Sequence, residues 1–240
     1  MAGYILLEGY GEFGGALAEA EGRAIELAGG PDISVSIIPT AAFPDHNYQR
    51  ISNAGVRWFH GLGVTQVQAL PLIDKVSAED PALANIISHS RLVHLTDGTV
   101  ENLMNILENS ACWRAILAAY LAGAVIVGSG AGAMGLCQYY YDSRAKIVMS
   151  GLGLLSNVCL LTKRNTLVGK ATAQPTVELP ADVEVIDIDE RTGLLDDGDA
   201  GKKCGWHVYG QGAVTIYRHG EPTVYKPHSS FTEILLECGL

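Results

Sequence analysis

Residues 125–134, with the sequence VIVGSGAGAM, contain the change of pattern that decides the fold. The β-branched start predicts a buried strand, and the glycine- and alanine-rich run predicts a tight turn into a helix. Small side chains let the backbone reverse sharply at the carboxyl edge of a sheet. Such a turn holds one residue at positive φ, beside N–H groups that stabilise an anion. Gly130 lies at the predicted apex.

Strand and helix patterns alternate through the first 135 residues, which is typical of βαβ units around a parallel sheet. We predict strands at 4–7, 33–38, 64–70, 92–95 and 124–127, and helices at 15–28, 48–62, 78–90 (with Ser77 as N-cap), 101–107 and 113–121. From residue 151 onward short strands are predicted at 158–161, 183–188, 208–209 and 214–217, and 231–236 fits either a helix or a strand. We therefore expect one α/β domain over residues 1–240, a three-layer α/β/α fold with a mostly parallel sheet, a cleft at the strand carboxyl ends and a β-rich C-terminal portion.

Composition excludes several classes of partner. A formal net charge of -10 repels phosphate, and the 16 Lys and Arg residues form no dense basic run, so we expect no nucleic-acid partner. No apolar stretch reaches the ~18 residues that a membrane-spanning helix needs, so we expect no membrane partner. Five widely spaced cysteines without a CxxC pair, and no secretory signal before the first strand, predict a cytoplasmic protein.

The segment 9–14, GYGEFG, matches the glycine pattern of dinucleotide-binding loops between a strand and a helix. That function also needs an acidic residue at the end of the second strand to hold the ribose. The corresponding stretch 37–41 reads IIPTA and contains no acid. We interpret the loop as a glycine-rich turn that lets the first helix pack closely, and we expect no cofactor.

Other chemically interesting residues have ordinary structural interpretations. The seven histidines are scattered without a metal-binding spacing, and we expect no metal. We interpret His94, in a buried-looking strand, as a hydrogen-bonded core histidine rather than a general base. Tyr139, Tyr140 and Tyr141, read at helical spacing, are expected to divide between core and surface. The acidic run 196–199 lacks the closing Glu of a calcium loop and is expected to be a solvated turn.

The chain resembles the cyanophycinase and aspartyl dipeptidase (dipeptidase E) family of serine peptidases. In that family the turn after the strand reads Gly-[Thr/Ser]-Ser-Ala-Gly-Ala, and 128–133, GSGAGA, differs only at the nucleophile. The segments 38–42 (IPTAA), 151–155 (GLGLL) and 188–192 (IDERT) are similar to family segments in the same order. The resemblance implies a glutamine-amidotransferase-like fold with a flavodoxin-like sheet.

The departures from the family pattern fall on the catalytic parts. Gly130 stands at the nucleophile position, and Lys163 stands where the resemblance places the histidine base. The Gly-Gly-[Asp/Asn]-Gln turn, implied to hold substrate, reads DGTV at 97–100. Only Glu190 matches the carboxylate that orients the base in cyanophycinase-like members. Loss of the nucleophile alone costs about 10⁶ in rate in a serine protease.

The first functional hypothesis is therefore a pseudoenzyme that binds a small anionic or peptide-like ligand. Its expected ligand-binding residues are Gly98, Thr99, Ser129, Gly130, Ala131, Lys163 and Glu190. A second hypothesis is a hydrolase of small peptides or isopeptides that uses Ser129 as a relocated nucleophile, with Lys163 as base. A third is a structural subunit that forms a homo-oligomer, and a dinucleotide oxidoreductase is a distant fourth. We further expect positive φ at Gly130, and Lys163 and Glu190 together at the cleft.

Overall fold

The computed structural model describes residues 2–45, 47–142, 145–162, 179–180, 182–197, 205–218 and 221–231. The helices are α1 (Ala18–Ala28), α2 (Tyr48–Gly61), α3 (Lys75–Ala78), α4 (Pro81–Ser88), α5 (Val100–Leu107), α6 (Ala111–Leu121) and α7 (Ala131–Leu136), with 3₁₀ turns at Gly15–Leu17 and Thr40–Asp45. The strands are β1 (Tyr4–Glu8), β2 (Ser34–Ile38), β3 (Gln66–Ala69), β4 (Leu92–Leu95), β5 (Val125–Ser129), β6 (Cys137–Asp142), β7 (Ile147–Ser150), β8 (Leu155–Thr162), β9 (Glu184–Ile188), β10 (Thr192–Asp196), β11 (Trp206–Gly210), β12 (Val214–Arg218), β13 (Glu221–Tyr225) and β14 (Ser230–Phe231). Within this part of the chain, no helix is long and apolar enough to cross a membrane.

The first sheet has the order β14-β11-β10-β1-β5-β4-β2-β3. Its five strands from the first half of the chain are parallel, and β10, β11 and β14 extend it in antiparallel pairing. The predicted mostly parallel α/β sheet with a β-rich C-terminal portion is confirmed. Parallel pairing places the carboxyl ends of β1, β4 and β5 at one edge of the sheet.

Side chains that alternate along the strands divide the core between the two faces of this sheet. Leu6 of β1 belongs to an apolar cluster with residues of α1 and α2, such as Ala24 and Phe59. Its neighbours Ile5 and Leu7 belong to the cluster that includes residues of α4, α5 and α6. Helices therefore cover both faces, as a three-layer α/β/α fold requires.

A second sheet, with the order β13-β12-β9-β8-β6-β7, packs on the larger of these clusters. It contains the three tyrosines that were read at helical spacing, and that interpretation was wrong. The helix α7 ends at Leu136 because Cys137 is already extended, with φ -76° and ψ 162°. Tyr140 then enters the main core, whereas Tyr141 enters a smaller cluster on the opposite side, as strand alternation requires.

The predicted helix over 78–90 corresponds to α4 alone, which the separate short helix α3 precedes, and its predicted N-cap was wrong. Asp74 caps α3, where Ser77 completes a capping box, and Asp80 caps α4 by accepting the N–H of Ala82 at 2.7 Å. Asp80 precedes Pro81 and has ψ 117°, the extended geometry that proline imposes on the residue before it. Of the segment 231–236, the structure describes only Phe231, at the end of β14, and the acidic run 196–199 is described only as far as Asp197.

Candidate functional site

The turn between β5 and α7 lies at the carboxyl edge of the parallel strands, as the sequence predicted. Gly130 has φ 49° and ψ -108°, which confirms the predicted positive φ. Side chains other than hydrogen are strained in this region of backbone space, so glycine suits the position. The N–H of Gly130 donates to the carbonyl of Glu8 at 3.0 Å and ties the turn to the end of β1.

The carboxyl group of Asp97 fills the space beside Gly130. Asp97 follows β4, and its Oδ1 accepts the N–H of Ala131 at 3.0 Å. A Cβ atom at position 130 would lie only 2.1 Å from the same oxygen. The comparison of residues 97–100 with the family turn showed an aspartate at position 97 in place of a glycine. It did not show where the aspartate side chain lies. Asp97 thus occupies the space where a side chain at position 130 would begin.

Ser129 does not share this space. It is fully buried, and its Oγ donates to the carbonyl of Gly9 at 3.4 Å. Ser129 lies in register with Glu8 of β1, on the sheet face that packs against α1. The Ser129 hydroxyl is therefore buried on the face of the sheet that α1 covers.

The predicted ligand residues Gly98 and Thr99 form the start of α5. The N–H of Thr99 donates to the carbonyl of Ala41 at 2.8 Å, so this loop is tied to the 3₁₀ turn after β2. Gly98 has φ 151°, and a Cβ there would lie 2.1 Å from the same carbonyl oxygen. Gly98 is exposed and Thr99 is partly exposed, so this loop forms an accessible rim beside Asp97.

Glu190 is exposed, in the turn between β9 and β10. The next residue, Arg191, donates its N–H to the carbonyl of Tyr10 at 2.6 Å, so this turn packs on the glycine-rich loop after β1. Lys163 lies outside the described residues. The expectation that Lys163 and Glu190 meet at the cleft therefore remains a prediction.

The glycine-rich loop 9–14 makes structural contacts at this edge. Glu12 is partly buried, and its Oε2 accepts the N–H of Asp97 at 3.0 Å. Burial raises the pKa of Glu12 to about 8, although the positive form of nearby His94 acts in the opposite direction. Phe13 packs on His94 with a ring separation of 4.8 Å. These contacts support the interpretation of the segment as a packing turn.

Three ionisable side chains meet beneath this edge, on the α1 face of the sheet. Glu8, Glu21 and His94 are all fully buried. The Nε2 of His94 lies 3.7 Å from Oε2 of Glu8 and 3.7 Å from Oε1 of Glu21, too far for hydrogen bonds. Burial raises the pKa of Glu8 to about 8 and the pKa of Glu21 well above its usual value, and it lowers the pKa of His94.

This cluster corrects the expectation for His94. Its burial is as predicted, but neither ring nitrogen has a hydrogen-bond partner among the described residues. The sequence analysis also missed Glu8 and Glu21, although the helical spacing of Glu21 with Leu17 and Ala24 indicated a position on the buried face. The three residues come from β1, α1 and β4, so no short spacing could have predicted the cluster.

Comparisons with known proteins agree with the fold. A sequence profile described as peptidase family S51 matches residues 5–202. The crystal structure of a peptidase from an acI-B1 actinobacterium is similar, with a TM-score of 0.82 and 25% identity over 97% of this chain and 98% of that one. A structure from Listeria monocytogenes EGD-e, provisionally assigned as peptidase E, has a TM-score of 0.57 and 16% identity over 94% of this chain and 99% of that one. No curated protein matches the chain.

Proposed function

Because the chain belongs to peptidase family S51, we propose that it is a non-catalytic relative of serine peptidases that retains a ligand site at the old catalytic edge. One observation carries the proposal: the Asp97 carboxyl group fills the space where the side chain of residue 130 would begin. A nucleophile at that position and the present Asp97 conformation exclude one another.

Acyl transfer needs an activated nucleophile and N–H donors for the developing oxyanion. Gly130 offers no hydroxyl, and the N–H of Ala131 already donates to Asp97. Ser129 is fully buried and hydrogen-bonded to a backbone carbonyl. These three positions together support a site that binds without turnover.

The charges around the site favour one of the two ligand classes expected from the sequence. Asp97 places a carboxyl group beside the rim formed by Gly98 and Thr99, and Glu12, whose raised pKa keeps it largely protonated near neutral pH, contacts the backbone of Asp97. An anion at this edge meets the Asp97 carboxylate, whereas the protonated amino group of a peptide-like ligand is attracted to it. We therefore propose a small peptide-like ligand with a free amino group.

The absence of catalysis is tested with a fluorophosphonate probe and with hydrolysis assays on aspartyl dipeptides and β-aspartyl-arginine. The full-length protein should show no labelling above a heat-denatured sample, because the probe needs a hydroxyl activated by a base within hydrogen-bond reach. An active family S51 peptidase serves as the positive control. Stoichiometric labelling at Ser129 would overturn the proposal in favour of the relocated nucleophile.

Ligand binding is tested by thermal unfolding with dipeptides at millimolar concentration. A ligand that prefers the folded state stabilises it by RT ln(1 + [L]/Kd), which raises the melting temperature. We expect a rise with dipeptides that carry a free amino group and none with their N-acetylated forms. Asp97→Asn should reduce this rise in melting temperature. Asp32→Asn, at an exposed aspartate distant from Asp97 in the sequence, should not. Equal shifts with acetylated and free peptides would contradict the proposed recognition, and no shift with any compound would favour a structural subunit.

A further inference from the structure

We propose that Glu8, Glu21 and His94 form a binding site for one divalent transition-metal ion of the Zn²⁺ class, enclosed between β1, α1 and β4. The site lies beneath the catalytic edge and is separate from the proposed ligand site. Its role is to stabilise the packing of α1 on the sheet.

The geometry of the three side chains fits a single ion. The Nε2 of His94 faces both carboxylates at 3.7 Å, and one ligand atom from each residue lies within 4.8 Å of the others. In tetrahedral zinc sites, metal–ligand bonds of about 2.1 Å place ligand atoms about 3.4 Å apart. The three ligand atoms need to move by only a few tenths of an ångström to reach bonding distance from one ion. Small side-chain rotations allow such movements.

Few of the polar atoms around this space have another partner, although the Ser129 hydroxyl approaches the Glu8 carboxylate and lowers the pKa of Glu8. Both carboxylate oxygens of Glu8, Oε1 of Glu21 and both ring nitrogens of His94 are buried without hydrogen-bond partners among the described residues. Buried polar groups are nearly always hydrogen-bonded or metal-bound, so the unpartnered carboxylate oxygens and Nε2 of His94 indicate a missing ligand, whereas Nδ1 lies on the other side of the ring and cannot bind the same ion. The remaining oxygen of Glu21 accepts a hydrogen bond from Nε1 of Trp58, which orients the carboxylate.

The identity of the ion follows from charge and donor type. Two carboxylates balance the charge of a divalent cation, so the assembled site is neutral in its apolar surroundings. One imidazole nitrogen with carboxylate oxygens suits Zn²⁺ and its neighbours, whereas Ca²⁺ takes six to eight oxygens. Phe13 and Phe59 pack on the His94 ring and cover that side of the site.

The test uses the full-length protein, stripped with a chelator and then dialysed. Elemental analysis after reloading with Zn²⁺ should give about one ion per chain, and Co²⁺ should give the intense visible absorption of a site with four or five ligands. Glu21→Gln and His94→Gln should each lower affinity at least about tenfold, the range known even for residues that only support metal ligands. The matched controls are Glu19→Gln, exposed on the same helix as Glu21, and His89→Gln, exposed at the C-terminal cap of α4.

The proposal fails if the stripped wild-type protein binds no Zn²⁺ above a buffer control, or if Glu21→Gln and His94→Gln bind as tightly as Glu19→Gln and His89→Gln. Retention in those variants would place the ion on the surface. If the cluster variants do not fold, the wild-type Co²⁺ spectrum decides alone. The weak absorption of six-coordinate, largely hydrated Co²⁺ would then overturn the assignment.

Discussion

The Asp97 carboxyl group occupies the space that a side chain at position 130 would need, and the energetic effect of this contact can be measured. Gly130→Ala should destabilise the protein by at least about 1 kcal/mol, because a Cβ at φ 49° is strained and also meets Asp97 Oδ1 at 2.1 Å. Gly130→Ser should be destabilised in the same way and gain no peptidase activity. Denaturant unfolding of the three proteins measures the free energy of each change.

Gly153→Ala is the matched control for this measurement. Gly153 also has positive φ, at 73°, but a Cβ there would meet no atom within 4 Å, so that variant reports backbone strain alone. Adding Asp97→Gly to Gly130→Ser should reduce the destabilisation that Gly130→Ser causes, because it removes the carboxyl group beside residue 130. The interaction free energy between the two substitutions should be about 0.5–3 kcal/mol. If the changes in unfolding free energy caused by Gly130→Ser and Asp97→Gly were additive, Asp97 would not be in the space that a side chain at position 130 needs.

At the scale of secondary structure, short-range signals predicted some elements and long-range packing decided others. The Gly130 turn was predictable because an apolar β-branched run and small residues are both local signals. The second sheet was not, since its strands pair with segments far along the chain. Tyr140 shows the difference: its neighbours fit a helix or a strand, and pairing with Leu160 of β8 selects the strand.

The division of 74–88 into two helices gives a prediction for Asp80. Its side chain accepts the N–H of Ala82 at the start of α4, so Asp80→Ala should destabilise the protein by about 1 kcal/mol. Asp80→Ser, which keeps a capping oxygen, should recover most of that loss. Chemical denaturation compares both with Asp32→Ala, at an exposed aspartate outside the helices. If Asp80→Ala lowers the free energy of unfolding no more than Asp32→Ala does, the cap does not stabilise the protein.

At the scale of the whole molecule, the fold brings together residues that are far apart in the sequence. The cluster of Glu8, Glu21 and His94 depends on the parallel order of β1, β5 and β4 and on the packing of α1 across them. None of these contacts is local, so residue spacing carried no information about them. The turn at Gly130 differs because its strand and its small residues are consecutive in the sequence, and its residues resemble a segment of a known family.

The same topology predicts how the molecule unfolds. The largest apolar cluster joins Ile5 and Trp206 of the first sheet with Ile186 and Ile216 of the second, so the two sheets share one core in addition to a smaller cluster on the outer face of each. We therefore expect one cooperative thermal transition, with the calorimetric enthalpy equal to the van't Hoff enthalpy, as for a single domain. Far-ultraviolet circular dichroism and tryptophan fluorescence should give the same midpoint.

Conservative variants on the two sheets make this expectation specific. Ile5→Val and Ile186→Val each remove one buried methylene group and should each cost about 0.5–1.5 kcal/mol. If the two sheets share one core, both variants lower the midpoint of the same single transition, whichever probe is followed. If Ile186→Val instead shifted only a separate transition and left the unfolding of the first sheet in place, the single-domain prediction would be wrong, and the second sheet would be an independent folding unit.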